Sequence, residues 1–199
     1  MRVVLASGNA GKLRELSALL GPLGYECLPL SEFSDRQADE TGQSFLENAL
    51  IKAAAAAEAS GLPAIADDSG LAVDALDGAP GIYSARFAGA DATGEQNNQL
   101  LLEKMRGVGQ GGRGAHFHCS VALASPNPDR EPLIAEAQWH GEILEAPQGA
   151  GGFGYDPVFA DQAGRCAAEL PAEVKNRISH RGQALRKLLE LIRRTGWTP

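Results

Sequence analysis

Two pairs of adjacent acids, Asp39-Glu40 and Asp67-Asp68, are the first residues in this 199-residue chain whose types and spacing suggest chemistry. Carboxylates at the ends of secondary-structure elements suit Mg²⁺, which takes oxygen ligands and keeps several of its waters. Asp67-Asp68 closes a short apolar run, Ala64-Ile65-Ala66, that reads as a buried strand. Neighbouring strand residues point to opposite sides, so one acid is placed to face a ligand while the other holds the loop by hydrogen bonds. The letters Asp-Ser-Gly at 68–70 fit plain turn chemistry equally well.

Three further segments carry candidate groups. Ser7-Gly8-Asn9-Ala10-Gly11-Lys12 lies between an apolar run at 3–6 and a helical pattern at 12–20. Backbone N–H groups at a helix N-terminus attract phosphate, glycines permit close approach, and a lysine adds charge. The segment is not a P-loop, which needs Gly at the place of Ala6 and Ser or Thr at the place of Leu13. An ordinary strand-to-helix turn with a solvated lysine fits the same letters. Gly149-Ala150-Gly151-Gly152-Phe153-Gly154 matches GxGxxG but leads into Tyr155-Asp156-Pro157-Val158-Phe159, which reads as extended rather than helical. That context excludes a dinucleotide fingerprint. The loop suits a grip on a base, with Phe153 stacking and Asp156 hydrogen-bonding, or else a hairpin loop with a core Phe. Lys175 and Ser179-His180-Arg181 precede or open the last helix and offer donors to an anion or a carbonyl oxygen, or form a plain capped terminus.

The elements that position these groups follow from periodicity and punctuation. Strands are expected at 3–6, 25–30, 64–66, 117–124 and 133–143, the last with a bend at Gly141. Helices are expected at 12–20, 44–60, 94–105 and 181–194; Ser44 and Glu47 fit a capping box, and Gly61 with Pro63 closes the second. Mixed strands and helices argue for a layered α/β or α+β fold. Apolar residues make up 44% of the chain, enough for a real core. A net charge of −7 argues against binding a nucleic-acid polymer, although a small anion needs only local cations. Cys27, Cys119 and Cys166 form no CxxC pair, so three reduced thiols in a cytosolic protein are expected. No signal peptide or membrane span is expected. His116 and His118 share a strand face with no third ligand nearby and read as structural, and Ser69 lacks the GxSxG elbow of a serine hydrolase.

The order of the motifs is more telling than any one of them. Ser-Gly-Asn-x-x-Lys at 7–12, Glu-Thr-Gly-x-Ser-Phe-x-Glu-Asn-Ala at 40–49, Ala-Asp-Asp-Ser-Gly-Leu at 66–71, Gly-Ala-Pro-Gly-Ile-Tyr-Ser-Ala-Arg at 78–86, Gly-Gly-Phe-Gly-Tyr-Asp-Pro at 151–157 and Ser-His-Arg-Gly at 179–182 closely resemble the inosine/xanthosine triphosphate pyrophosphatase family, in its bacterial wording. The resemblance covers nearly the whole chain. It implies one α/β domain over 1–199, a two-lobed mixed sheet flanked by helices with the active-site cleft between the lobes. It also implies a cytoplasmic homodimer that uses Mg²⁺ to hydrolyse ITP, dITP and XTP to the monophosphate and pyrophosphate. By the same resemblance, Ser7, Gly8, Asn9, Ala10, Gly11 and Lys12 bind the triphosphate, Glu40, less directly Asp39, Asp68 and Asp67 hold the metal, and Asp68 is the general base, which Asp67 supports. Lys12, Lys52 and the first helix N-terminus offset phosphate charge, and Ser69 contacts substrate. Phe153, Gly154, Tyr155, Asp156, Lys175, His180 and Arg181 hold the nucleoside and its base. Two rivals are a pyrophosphatase with another preference, such as modified pyrimidines, and a nucleotide-binding regulator without turnover.

Overall fold

The computed structural model describes residues 1–36 and 38–197. Six strands, β1 (Arg2–Leu5), β2 (Glu26–Pro29), β3 (Ala64–Val73), β4 (Gly114–Ala124), β5 (Leu133–Ile143) and β6 (Phe159–Asp161), form one mixed sheet in the order β2-β1-β3-β4-β5-β6. β1 pairs in parallel with β2 and β3, while β5 and β6 are antiparallel. The helices are α1 (Ala10–Leu20), α2 (Phe45–Ser60), α3 (Gly94–Lys104), α4 (Ala172–Ile178) and α5 (His180–Thr195). The chain divides into two compact units. One comprises Met1–Asp68, Cys119–Ala137 and His180–Pro199, the other Ser69–His118 and Gln138–Ser179. No helix among the described residues is long and apolar enough to cross a membrane.

In the first unit the period-two alternation of the strands sorts two cores. Val3, Leu5 and Ile65 pack with Leu16 and Leu20 of α1 and Leu185 and Leu188 of α5. Val4, Ala6, Ala64 and Ala66 pack with Ala49, Ala53, Ala56 and Ala57 of α2, a small-residue face that brings helix and sheet close together. α1 starts at Ala10 because the Asn9 side chain accepts the N–H groups of Gly11 (2.8 Å) and Lys12 (3.2 Å). α2 is capped as its letters predict at Ser44, whose Oγ accepts the Glu47 N–H at 3.1 Å. The reciprocal bond differs: Glu47 reaches one residue further back, to the N–H of Gln43 at 2.6 Å.

The second unit has its own core of Leu71, Val73, Leu101, Met105, Phe117, Trp139, Val158 and Phe159. Arg113 is buried. Its guanidinium donates to the carbonyls of Ile143, Leu144, Met105 and Val108, at 2.6 to 3.3 Å. Several expectations are corrected here. β3 continues through Asp67-Asp68-Ser69-Gly70 for ten residues, so those letters are strand and not turn. Asp156–Val158 is a single 3-10 turn set by Pro157, with the extended segment starting only at Phe159. β5 runs on through Gly141, where glycine serves close strand approach: a Cβ there would lie 2.0 Å from the Ala160 carbonyl. α4, too short to show a convincing period, was not anticipated. Cys27, Cys119 and Cys166 are free thiols, and the His116 ring stands 5.3 Å from that of His140.

Candidate active site

The first unit carries its polar cluster on β3, just beyond the end of β1. The β1–β3 register closes at Leu5↔Ile65, so Asp67 and Asp68 lie beside the loop that enters α1. The strand order 2-1-3 reverses direction at β1, and in open α/β sheets ligands gather outside the carboxyl ends of strands at such a point.

Alternation then separates the two acids. Asp67 follows Ile65 onto the side of α1 and α5, where Lys12 Nζ is 3.0 Å and Arg181 Nε 3.1 Å from its Oδ2. Arg181 also pairs through NH1 with Glu15 of α1. The Asp67 side chain is fully buried and that of Arg181 is 3% exposed. Burial works against the Arg181 charge, but Asp67 and then Glu15 outweigh it and hold the guanidinium protonated, above its ordinary value. Asp68 follows Ala66 onto the side of α2. Lys52 Nζ lies 2.9 Å from its Oδ1, and the amide of Asn48 donates to its Oδ2 at 3.2 Å. Lys52 also meets Glu40 Oε1 at 2.9 Å. Burial lowers the proton affinity of Lys52, and the carboxylates of Asp68 and Glu40 more than reverse that.

The four carboxylates expected as metal ligands therefore do not converge. Among the described residues no three His, Cys, Asp or Glu side chains could hold an ion together. Glu40 and Asp68 share Lys52, Asp67 lies on the other face, and Asp39 is exposed. The first loop also differs from expectation, since two of the α1 amides proposed to meet phosphate, those of Gly11 and Lys12, are taken by Asn9. Ser7 Oγ accepts the Asn9 N–H at 3.2 Å, Gly8 and Ala10 are exposed, and Gly11 is buried.

The second unit holds the other cluster. Asp156 Oδ2 accepts from Lys175 Nζ and from the Phe153 N–H, both at 2.7 Å, and the ammonium stands 4.6 Å from the centre of the Phe153 ring. Gly152 is glycine of necessity: its φ is +72° and a Cβ would fall 2.2 Å from Asp156 Oδ2. Asn98 of α3 donates to the Gly154 carbonyl at 3.0 Å. Tyr155, expected to touch substrate, is a buried anchor whose hydroxyl donates to the Ser84 carbonyl at 2.8 Å, with burial pushing its phenol up. Ser69 is half-buried in β3, and His180 is buried at the start of α5. Asn48 and Glu15 were missed as polar partners. Asn48 stands inside the motif at 40–49, and both residues stand at helical spacing from a lysine, Asn48 four residues before Lys52 and Glu15 three after Lys12.

The Ham1 family pattern matches residues 3–191. The chain belongs to the Ham1 family. It is 52% identical over 193 residues to the dITP/XTP pyrophosphatase of Shigella flexneri, covering 96% of this chain and 98% of that protein. It is 55% identical over 189 residues to the protein of the same name from Aromatoleum aromaticum, covering 94% of each. The solved structure of a HAM1 protein from Coxiella burnetii superposes with a TM-score of 0.88 at 47% identity, over 98% of this chain and 99% of that one. Membership in the Ham1 family makes the mixed sheet flanked by helices an expected fold and the protein an enzyme of nucleoside-triphosphate hydrolysis.

Proposed function

We propose that this protein hydrolyses the non-standard purine nucleoside triphosphates ITP, dITP and XTP to the monophosphate and pyrophosphate. The observation that carries the reading is Lys52, whose ammonium lies 2.9 Å from a carboxylate oxygen of both Glu40 and Asp68. A protein that merely bound an anion would gain nothing from two carboxylates against its lysine. A phosphoryl-transfer centre uses them, one to accept a proton from water and both to hold a divalent cation. The names of the Shigella and Aromatoleum relatives support the same chemistry and the dITP/XTP preference.

The donors present fit Mg²⁺. They are hard carboxylate oxygens, the side chains of Asp68 and Glu40 are 10% and 35% exposed, and an ammonium already occupies the place between them. Glu40 and Asp68 would hold the cation, with Asp39 as an exposed neighbour. When bound, it supplies charge neutralisation at the phosphate oxygens. Asp68 takes the proton of a water directed at the α-phosphorus. Lys12 and the Ser7-to-Lys12 loop hold the triphosphate, with Asp67 fixing Lys12. Arg181 acts here through Asp67, as its burial demands, and His180 stands beside it. Ser69 contacts substrate. Phe153 offers the base its ring, while Asp156, Gly154 and Tyr155 keep the loop in place. The reading includes a cytoplasmic homodimer and no nucleic-acid polymer.

With ITP and Mg²⁺ the expected products are IMP and pyrophosphate without IDP, and labelled solvent oxygen should enter IMP. Chelation by EDTA should stop the release and Mg²⁺ restore it. Asp68→Asn should lower kcat by about 10²–10⁴ with little change in ITP affinity. Orthophosphate with IDP would refute the pyrophosphatase reading, and hydrolysis of a modified pyrimidine triphosphate in preference to ITP would refute the base preference.

A further inference from the structure

Asn48 stands one turn before Lys52 on α2 and is 1% exposed. Its amide makes two bonds that fix each other. Oδ1 accepts the backbone N–H of Gly42 at 2.8 Å, and Nδ2 donates to Asp68 Oδ2 at 3.2 Å. A backbone N–H only donates, so the amide oxygen must face Gly42, and the nitrogen then faces a carboxylate that, when ionised, only accepts. The oxygens of Asp68 are thereby divided, Oδ1 to Lys52 and Oδ2 to Asn48. Gly42 follows Glu40 by two residues, and no side chain fits there: a Cβ would lie 2.7 Å from Asn48 Oδ1 and 2.9 Å from the Asn48 backbone nitrogen. The strap that carries Glu40 approaches α2 closely enough for this bond because it has glycine at that point.

We propose that Asn48 is a positioning residue for the reaction. One buried amide ties the Asp68 carboxylate to the strap bearing Glu40, so that the two carboxylates are presented to a divalent cation as a pair of fixed separation. The inference rests on the assignment of Asp68 and Glu40 given above. A neutral amide suits the task. It orients Asp68 without cancelling its charge, whereas a lysine at this place would compete with the cation. Helical spacing gives the same face of α2 two distinct duties, an ammonium at Lys52 and an orienting donor at Asn48.

The test uses Asn48→Ala, which removes both bonds, and Asn48→Asp, which is nearly isosteric, keeps an acceptor for Gly42 and turns a carboxylate toward Asp68. Three quantities are measured: kcat and KM for ITP, the affinity for α,β-methylene-ITP in EDTA, and Mn²⁺ affinity in the presence of that analogue by electron paramagnetic resonance. Both variants are expected to lose kcat by about a hundredfold, the scale of a small misplacement of reacting groups. KM and metal-free analogue affinity stay within about threefold of the parent, as for an interaction absent from nucleotide binding. Mn²⁺ affinity in the alanine variant falls by about tenfold or more, the usual effect of losing a partner behind a ligand. A merely structural role would lower thermal stability and analogue affinity together and leave Mn²⁺ binding by the folded fraction unchanged. If Asn48→Ala does not fold, Asn48→Asp decides by its kcat. Parental kcat in the aspartate variant, or lost kcat with parental Mn²⁺ affinity in the alanine variant, overturns the proposal. A parent enzyme that releases no pyrophosphate from ITP would instead refute the functional reading itself.

Discussion

Arg181 is the residue for which substrate contact and structural support predict different outcomes. It lies in a buried network in which its guanidinium meets Asp67 and Glu15, with Lys12 as the second cation on Asp67. Arg181→Met keeps much of the volume and removes the charge. Asp67, whose side chain has no exposure, keeps Lys12, and both it and Glu15, 14% exposed, lose this partner. Breaking a buried pair from one side costs about 3–5 kcal/mol, and because Lys12 remains the lower end, about 3 kcal/mol, applies. For a chain of this size that corresponds to a fall of about 6–12 °C in Tm. Far-UV circular dichroism of parent and variant during heating measures it directly. Adding Asp67→Asn to Arg181→Met should recover a good part of the loss, since the stranded charge is then gone. A Tm within about 2 °C of the parent, with the whole effect in KM for ITP, would refute the support role and return Arg181 to the substrate.

Two further outcomes concern the loop of the second unit. Gly152→Ala should cost about 2–5 kcal/mol, from positive φ plus displacement of the Asp156 carboxylate, whereas Gly154→Ala, with φ of +60° and open space around its Cβ, should cost about 1–2 kcal/mol; urea unfolding gives the order, and its reversal would refute the close-contact argument. Lys175→Met should destabilise by about 3–5 kcal/mol by stranding the buried Asp156, and Lys175→Met/Asp156→Asn should regain much of that while both lose the ITP preference over ATP, about tenfold to a hundredfold in the parent. A double variant with the parental ratio of kcat/KM values would make the pair structural only.

The elements with strong local signals were legible. The α2 cap at Ser44, its glycine stop and the strand at 133–143 follow from letters whose physics is local. The motif residues were legible as types, and the structure gathers them into groups: Lys12, Asp67 and Arg181; Glu40, Lys52 and Asp68; Phe153, Asp156 and Lys175. What the letters did not carry was long-range. Nothing local tells that Arg181 meets a residue 114 positions earlier, or that Tyr155 points its hydroxyl at a carbonyl 71 positions away. The strand through Asp67-Asp68-Ser69-Gly70 contradicts turn composition because tertiary pairing and burial on β3 override it. Asn48 was overlooked for a related reason. An asparagine inside a helix is ordinarily a weak helix former, and only the approach of Gly42 gives it a function.

The doubled acid shows how the fold itself assigns roles. Right-handed crossovers from β1 to β2 and from β2 to β3 run opposite ways along the sheet, so α1 and α2 cover opposite faces, as the two cores record. Neighbouring residues of β3 then meet different helices and different cations. On the α1 and α5 side, two acids, Asp67 and Glu15, stand against two bases, Lys12 and Arg181. On the α2 side, two acids, Glu40 and Asp68, share the ammonium of Lys52. Asn48 orients Asp68 without bringing a charge of its own. A largely buried network of ion pairs would have to break one of them to admit a further cation. The α2 side has the partial exposure of Glu40 and oxygen donors already arranged around a cation. On the proposed reading a divalent ion goes to Asp68 and Glu40, and Asp67, 3.0 Å from Lys12 Nζ, holds the lysine of the first loop in place.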